Sequence, residues 1–200
     1  MTIALTGGIA CGKTLFSGFL RDLGFRLLDA DDVVHELEGA GGAAVPALVA
    51  HFGRAVLASD GAIDRARLAE FVFADPARRR ALEAILFPLV RARLRAFSRE
   101  EGREQISIVV VPLLFESHFD ADYDTIVALV SPPEVQIRRM MDTRGYSRAH
   151  AEARLAAQMP AAEKAARADF VVVNDSTEEH LRSEARRLAA WLWERAQHEH

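Results

Sequence analysis

The feature that most restricts how this chain can fold is a glycine-rich turn at residues 7–14, GGIACGKT, which matches the pattern G-x-x-x-x-G-K-[ST]. An apolar run precedes the turn at 2–5, and a helical stripe of apolar residues follows it through 13–23. A strand, a tight turn and an amphipathic helix in this order build a loop whose backbone N–H groups surround phosphate oxygens. The pattern therefore predicts a phosphate-binding loop, with Lys13 on the β- and γ-phosphates and the Thr14 hydroxyl placed for Mg²⁺.

Cys11 lies inside this turn and is the single cysteine of the chain, so no intramolecular disulfide can form. A lone cysteine fits a reducing compartment. We interpret Cys11 as a small residue that fills space in the turn. The alternative is a thiol made acidic by the helix N-terminus and therefore sensitive to oxidation.

The totals favour a single compact domain with helical additions: the chain has 200 residues, half of them hydrophobic, and a formal net charge of -4. This charge provides no basic excess for nucleic acid, so an anionic ligand must be bound by a local site. The first residues lack a basic leader, and no apolar run approaches the roughly 20 residues of a membrane helix. We therefore expect a soluble, cytoplasmic protein with no nucleic-acid or membrane partner.

Five short apolar runs, at 2–5, 25–28, 106–111, 125–130 and 170–173, alternate with helical patterns. Such runs predict an α/β fold with a five-stranded parallel sheet covered by helices on both faces. The long helical gap after the second run predicts an insertion at 33–104. The predicted core is then 1–32, 105–135 and 168–200, with 136–167 as a helical lid.

Two local signals refine the predicted helices. Residues 131–134, SPPE, are typical of a capping box in which Ser131 caps the helix that follows. Pro88 interrupts a helical pattern that begins near Pro76, and we expect it to kink or break that helix.

Two carboxylates follow the second apolar run, at Asp29 and Asp31. The carboxyl ends of parallel strands are where ligands bind, and a strand would point both side chains to the same side. Asp31 is our candidate for accepting the proton of an attacking hydroxyl. The alternative is that Asp31 or Asp32 simply caps the next helix.

A metal-organising Asp is missing after the third strand, which runs into Pro112. Thr14 and an Asp of the 29–31 pair would therefore hold Mg²⁺ together with waters. Glu116 is a further candidate, and a solvated loop Glu is equally compatible with the sequence.

Basic residues are concentrated between the last two strands, in what we predict as one helical stretch: Arg138, Arg139, Arg144, Arg148, Arg154, Lys164 and Arg167. Arginines of a lid can close over a transferred phosphoryl group and exclude water. Arg139 and Arg144 are the preferred candidates. The alternative is a solvated face paired with acidic neighbours.

The turn at 7–14 and the DAD segment at 29–31 together resemble the dephospho-CoA kinase family. Further similar stretches are DGAIDR at 60–65, VF at 72–73, LEAILFP at 82–88, PLLFE at 112–116, RLAAQ at 154–158, AD at 168–169, and Asn174. The resemblance implies a P-loop kinase that uses ATP to phosphorylate the 3′-hydroxyl of the ribose of dephospho-CoA, the last step of coenzyme A synthesis. The insertion at 33–104 would then bind substrate.

The resemblance also implies roles for individual residues. Asp31 would contact the attacking hydroxyl, Asn174 would lie near the adenine, and Arg139 is similar to a lid arginine. The ATP-binding residues would be Gly8, Ile9, Ala10, Cys11, Gly12, Lys13, Thr14, Leu15, Arg144 and Asn174. The catalytic residues would be Asp31, Lys13 and Arg139, the metal residues Thr14 and Asp31, and the substrate residues Asp31, His35, Leu113 and Glu116.

Two departures from the family pattern concern Ala10, where relatives commonly have Gly, and Phe87, where they commonly have His. We expect Ala10 to fit only if its φ is negative. The loss of an imidazole at Phe87 puts a substrate contact in doubt. The rival interpretations are a P-loop kinase for another nucleoside or small metabolite, a GTP-binding switch protein and an inactive nucleotide-binding module. A guanine-reading NKxD segment is absent, and Lys13 and Asp31 are intact.

Overall fold

The computed structural model describes residues 1–73, 75–99 and 106–198. Within them the strands are β1 Ile3–Gly7, β2 Arg26–Asp29, β3 Ser107–Val110, β4 Thr125–Val130 and β5 Phe170–Val173. The α-helices are α1 Lys13–Asp22, α2 Ala30–Glu38, α3 Val45–Phe52, α4 Arg65–Phe73, α5 Pro76–Arg99, α6 Pro133–Arg144, α7 Arg148–Ala156, α8 Ala161–Ala166 and α9 Glu178–His198. Short 3₁₀ turns lie at Arg54–Val56 and Asp120–Asp122.

The strands form one five-stranded sheet in the order β2-β3-β1-β4-β5. Strand β1 is central and pairs in parallel with β3 and β4, and β4 pairs in parallel with β5. The near-continuous burial of β1 and β4 explains their unbroken apolar sequences, because helices cover both faces of such a sheet. The predicted α/β fold with a five-stranded parallel sheet is confirmed.

The chain divides into two compact units, the first formed by Met1–Leu27 with Gly102–His200 and the second by Leu28–Glu101. The first unit holds the main core, where α1 and α9 pack on the sheet through residues such as Phe16, Leu20 and Leu188. The second unit contains α2 to α5. It overlaps the predicted insertion at 33–104, of which residues 74 and 100–104 lie outside the described residues, as do 105, 199 and 200 of the predicted core.

Helix α5 runs from Pro76 to Arg99 with Pro88 inside it, so of the two outcomes predicted at Pro88, a kink or a break, the break does not occur. Proline removes one backbone hydrogen bond and crowds the preceding turn. The burial of Leu86, Val90 and Leu94 on either side of it supplies the packing that keeps the helix continuous. In the described part of the chain, no helix is both long and apolar enough to span a bilayer.

Candidate active site

Strand β1 leads directly into residues 7–14, hereafter the phosphate loop, and α1 begins at Lys13. Gly12 is the N-cap of α1, in the left-handed conformation with a φ of 96°. The first turn of α1 carries no acidic side chain, so the positive end of the helix is left for an anion.

The glycines of the loop stand where a side chain would collide with a neighbour. A Cβ at Gly7 would overlap a backbone carbonyl oxygen of β4, and a Cβ at Gly12 would overlap the side-chain amide of Asn174. At Gly8 a Cβ would lie 2.7 Å from Nε2 of Gln136. The loop is thus packed tightly against its own unit, which favours glycine at the two motif positions, 7 and 12, and at the variable position 8.

Ala10 is in the left-handed region, with a φ of 55°. We expected alanine to fit here only with a negative φ, and that expectation is wrong. An L residue in this conformation costs roughly 1–2 kcal/mol, because Cβ approaches the following carbonyl oxygen. The contacts around the loop must therefore hold Ala10 in place.

Lys13 folds back over the loop. Its Nζ donates to the carbonyl oxygen of Gly7 at 2.8 Å and to that of Gly8 at 3.0 Å. The next two residues, Thr14 and Leu15, lie on the first turn of α1, where both are exposed. The cationic group and the accessible hydroxyl therefore stand on the same loop, as the motif predicts.

Cys11 is completely buried in the core of the first unit. Burial raises the pKa of the thiol, although the nearby Lys13 works in the opposite direction. Burial and the raised pKa both favour the interpretation of Cys11 as a residue that fills space over the alternative of an acidic, oxidation-sensitive thiol.

Polar side chains from outside the phosphate loop form a cluster that makes hydrogen bonds with the backbone carbonyls of the loop. Nδ2 of Asn174 donates to the carbonyl of Cys11 at 2.8 Å, and Oδ1 of Asn174 accepts from Nη2 of Arg139 at 3.1 Å. Nη1 of Arg139 lies 3.4 Å from the Ala10 carbonyl oxygen and 3.2 Å from Oγ of Ser131. Two residues predicted on separate grounds, Arg139 and Asn174, are thus brought together at the phosphate loop.

Ser131 belongs to this cluster, and the predicted capping box at 131–134 is wrong. The N-cap of α6 is Pro132, which makes no side-chain capping bond, and the Ser131 hydroxyl donates to the carbonyl of Asn174 at 2.6 Å. Both groups are buried, and an unpaired buried carbonyl costs more than an uncapped helix end near solvent. The carboxylate of Glu134 pairs with Arg148 instead, at 2.7 Å.

In the second unit, Asp29 is the residue that caps a helix. Its Oδ1 accepts from the N–H of Asp31 at 2.9 Å, and α2 begins at Ala30. The alternative that Asp31 or Asp32 caps the helix is therefore wrong. So is the expectation that Asp29 and Asp31 share one face of a strand, because Asp31 lies in the first helical turn. Its exposed carboxylate has no hydrogen bond or ion pair with any residue of the described ranges.

His35 lies one turn further along α2. Its Nδ1 is 2.8 Å from the carbonyl oxygen of Asp31, which can only accept, so this nitrogen carries the proton. Nε2 of the ring then accepts from Nη1 of Arg65, whose Nε forms an ion pair with Glu38 at 3.0 Å. Burial raises the pKa of Glu38, and the charge of Arg65 only partly opposes this shift. The predicted substrate residue His35 is thus held in a charged cluster of the second unit.

Glu116 is tied to the segment around α8. Its carboxylate lies 2.8 Å from Nζ of the fully buried Lys164 and accepts from the N–H of Met159 at 3.0 Å. Burial opposes ionisation, but these two bonds outweigh it and lower the pKa of Glu116. Leu113, predicted beside it as a substrate residue, is 45% exposed.

The arginine-rich segment is not one helical stretch, because it is divided among α6, α7 and α8. Arg148 fits the paired-face alternative, since it binds Glu134 and also Glu152, the latter at 3.1 Å. Arg144 is the exposed last residue of α6 and has no hydrogen bond or ion pair within the described ranges.

Among the described residues, no group of three or more His, Cys, Asp or Glu side chains is placed to hold a metal ion. The described residues therefore contain no preformed metal centre built from three or more of these side chains. The accessible Thr14 hydroxyl suits a hydrated ion that takes most of its ligands from phosphate oxygens and water.

The dephospho-CoA kinase sequence family matches residues 1–180 of this chain. The chain belongs to the dephospho-CoA kinase family. A curated dephospho-CoA kinase from Anaeromyxobacter dehalogenans is 43% identical over 192 residues, which cover 95% of this chain and 91% of that protein. The resemblance inferred from the motifs is thereby confirmed, and the interpretation as a GTP-binding switch protein is excluded.

Solved structures agree with this family membership. A dephospho-CoA kinase from Campylobacter jejuni superposes with a TM-score of 0.73 at 27% identity, covering 96% of each chain. A shikimate kinase from Acinetobacter baumannii superposes with a TM-score of 0.54 at 16% identity, covering 97% of this chain and 93% of that one, which shows a shared fold only.

Two residues at the loop of this family member were missed by the sequence reasoning. Nε2 of Gln136 donates to the carbonyl of Ile9 at 2.6 Å, and Oε1 of Gln158 accepts from the N–H of Ile9 at 2.8 Å. Gln158 ends the family-like stretch at 154–158, which was a usable signal. No sequence signal singled out Gln136.

Proposed function

We propose that this chain transfers the γ-phosphoryl group of ATP to the 3′-hydroxyl of the ribose of dephospho-CoA, giving coenzyme A and ADP. One observation carries the proposal: a chain that matches the dephospho-CoA kinase family over 1–180 keeps a complete phosphate loop with Lys13 folded over it. In the reaction, the bond between the γ-phosphorus and the β,γ-bridging oxygen breaks as a new phosphorus–oxygen bond forms to the 3′-oxygen. ADP leaves with the bonding electron pair.

The phosphate loop binds the nucleotide in this proposal. Its backbone N–H groups and the N-terminus of α1 stabilise the phosphates, and Lys13 exchanges the carbonyls of Gly7 and Gly8 for phosphate oxygens. A charged oxygen is a stronger acceptor for an ammonium group than a carbonyl, which favours the exchange. Arg139 and Arg144 are assigned to the predicted lid at 136–167, and Asn174 to the adenine end.

Asp31 is assigned as the group that accepts the proton of the attacking hydroxyl. Its carboxylate is exposed and has no partner in the described ranges, so it is available to accept a hydrogen bond from substrate. The proton passes from the 3′-oxygen to this carboxylate as the new phosphorus–oxygen bond forms, and then to water.

A Mg²⁺ ion accompanies ATP in this proposal and supplies neutralisation of the charge on the β- and γ-phosphates. Thr14 would hold it through its hydroxyl, with Asp31 as the second predicted residue. Because Mg²⁺ keeps several waters, one or two protein ligands are sufficient.

In this proposal His35 of the second unit contacts the substrate. Leu113, which is exposed in the 112–116 segment, is a second substrate contact. Both carboxylate interactions of Glu116 are with its own unit, so we propose that this residue anchors the segment around α8 and does not bind metal. A chain with a single cysteine, Cys11, fits a reducing compartment, and we propose the cytoplasm.

A coupled ADP-release assay with Mg-ATP and dephospho-CoA tests the function. We expect turnover by the parent chain, a loss of kcat of roughly 10²–10⁴-fold in Asp31→Asn, and a collapse of activity in Lys13→Ala. ATP affinity measured without Mg²⁺ should stay within about twofold of the parent in Asp31→Asn, because this carboxylate does not contact the phosphates directly in this proposal.

Asp32→Asn is the matched control, since Asp32 is the neighbour of Asp31 in the same helical turn. It should keep kcat within about twofold. If Asp32→Asn lost as much as Asp31→Asn, the effect would belong to helix charge and the assignment of Asp31 would fail. ATP binding without turnover of dephospho-CoA would redirect the proposal to another nucleoside or small-metabolite hydroxyl, and Phe87 would be the first residue to replace.

A further inference from the structure

Two side chains of α2 contact the guanidinium group of Arg65, the first residue of α4. Its Nη1 donates to Nε2 of His35, and its Nε lies 3.0 Å from Oε2 of Glu38. The second contact is an ion pair that lacks the alignment of a hydrogen bond. Because the guanidinium is planar and two of its three nitrogens have partners, its orientation is restricted before any ligand binds.

The third nitrogen, Nη2, makes no hydrogen bond or ion pair with any residue of the described ranges. The side chain of Arg65 is 51% exposed, whereas that of Glu38 is 5% exposed. The carboxylate is therefore shielded from solvent, and the guanidinium is the accessible half of the pair. The N–H groups of Nη2 are available to an acceptor on a ligand.

His35 has no ring nitrogen left for a ligand. Its Nδ1 donates to the carbonyl oxygen of Asp31 at 2.8 Å, and its Nε2 accepts from Arg65. A neutral imidazole has one donor and one acceptor, and both are used here. A substrate therefore contacts His35 through the carbon atoms of its ring, and the hydrogen-bonding group that this cluster presents is Arg65.

The guanidinium lies close to the residue assigned to the attacking hydroxyl. Asp31 and His35 are four positions apart on α2, so they share one face of the helix with Cβ atoms about 5–6 Å apart. The contact with His35 places Arg65 at this same face. In dephospho-CoA, the ribose whose 3′-hydroxyl reacts carries a diphosphate on its 5′-oxygen, so a strongly anionic group lies one sugar away from the reacting oxygen.

We propose that Arg65 binds the diphosphate of dephospho-CoA, and that His35 is a positioning residue that orients the guanidinium for this contact. A guanidinium donates charge-assisted hydrogen bonds to phosphate oxygens, and a donor that is oriented in advance loses little entropy on binding. The acceptor class is then a ribose with a phosphate chain on its 5′-oxygen, in preference to an unphosphorylated nucleoside. The inference rests on the proposed function for the identity of this acceptor.

The test is titration calorimetry of dephospho-CoA, and of adenosine, which lacks the diphosphate. The protein is first saturated with a non-hydrolysable ATP analogue, so that neither ligand binds at the phosphate loop. Arg65→Gln alone would leave the buried carboxylate of Glu38 without its cation, so every protein in the comparison carries Glu38→Gln. In this background Arg65→Gln should weaken dephospho-CoA binding about 10- to 100-fold and adenosine binding less than about twofold.

Two further measurements separate a phosphate contact from a structural effect. Added salt should weaken dephospho-CoA binding less in the Arg65→Gln protein, because one ionic contact is already missing. This comparison uses dephospho-CoA alone and decides the matter if adenosine binds too weakly to measure. His35→Ala should weaken dephospho-CoA binding at least about threefold more when Arg65 is present than when it is replaced, because a positioning residue acts through its partner.

Arg67→Gln is the matched control. Arg67 is also on the first turn of α4, its side chain is 60% exposed, and its Nε lies 3.2 Å from a carboxylate oxygen of Asp64. It is two positions from Arg65 and therefore points to the opposite side of the helix. Its replacement should leave both dissociation constants within about twofold.

Unchanged dephospho-CoA binding in the Arg65→Gln protein would overturn the proposal, as would an equal loss for adenosine or an equal loss in Arg67→Gln. An unchanged salt dependence would overturn it as well. If the parent bound dephospho-CoA without phosphorylating it, the proposed function would fail while these dissociation constants still tested Arg65. If the parent did not bind dephospho-CoA at all, both proposals would fail.

Discussion

At the scale of single residues, individual hydrogen bonds determine the backbone conformation of the phosphate loop. The carbonyls of Ile9, Ala10 and Cys11 accept from side chains outside the loop, while Lys13 donates to carbonyls within it. Each outside bond fixes a peptide plane, and Lys13 alone among these donors is tied only to acceptors that a phosphate can replace. Neighbouring side chains therefore hold the loop backbone, and Lys13 supplies a positive charge whose present acceptors a ligand can replace.

At the same scale, Glu116→Gln is expected to destabilise the first unit by about 3–5 kcal/mol at pH 7, because it leaves the charge of the fully buried Lys164 without its partner. The pKa of Glu116 in the folded chain lies below its ordinary value of 4.5. Its stabilising contribution is thus complete above that value and is lost as the pH falls through the lower, folded value. Urea unfolding at pH 7 and pH 4 should show the difference from the parent shrinking as the pH drops.

Glu163→Gln is the control for this experiment, since Glu163 is an exposed glutamate on α8. It should stay within about 0.5 kcal/mol of the parent at both pH values. A Glu116→Gln variant as stable as this control at pH 7 would show that the buried pair contributes nothing net.

At the scale of single elements, two glycines of different backbone conformation show how the helices are built. Helix α6 ends at Arg144 and is followed by Gly145 with a φ of 64°. Gly18, in contrast, lies inside α1. A Cβ added at either glycine would meet no atom within 4 Å beyond its chain neighbours and, at Gly18, the backbone of the helix itself. The two glycines thus differ in backbone conformation, and neither position is crowded. Local conformation alone should decide how each tolerates alanine.

We expect Gly145→Ala to lower the free energy of unfolding by about 1 kcal/mol, because alanine is strained in the left-handed conformation. Gly18→Ala should raise it by roughly 0.5–1 kcal/mol, because alanine loses less backbone entropy in a helix. Denaturant unfolding of the two variants beside the parent measures both effects. Changes of the same sign would contradict the assigned conformations.

At the scale of the whole molecule, the net charge of -4 does not favour an anionic ligand, so binding depends on local groups in the first unit. Those groups are the N-terminus of α1, Lys13 and the cluster around Arg139. Three of the side chains that hold the loop, Gln136, Arg139 and Gln158, come from the predicted lid at 136–167, which connects ligand binding to those helices.

We therefore expect amide hydrogen exchange in residues 138–167 to slow when Mg-ATP and dephospho-CoA are added together. Ordering of α7 and its neighbours through Gln158 would reduce their local opening. The middle of α9, which packs on the sheet, serves as the internal reference and should not change. If exchange in 138–167 were the same with and without ligands, the prediction that this segment is a lid would be wrong.

Local patterns in the sequence were sufficient for the phosphate loop, the parallel sheet and the family. The motif at 7–14 is contiguous, and the apolar strands are buried runs whose periodicity is visible within a few residues. The same local reasoning was wrong at Ser131 and at the Asp29–Asp31 pair, where the outcome depends on packing or on where a helix begins.

The tertiary structure alone decided which side chains form hydrogen bonds with the backbone of the phosphate loop. Gln136 is 127 residues from its partner Ile9 and Gln158 is 149 residues from it, and no short pattern encodes such pairs. The left-handed φ of Ala10 does not follow from its residue type either, because isolated alanine avoids this conformation. Backbone propensity acts between near neighbours, whereas buried polar groups accept whichever partners the fold brings within hydrogen-bonding distance.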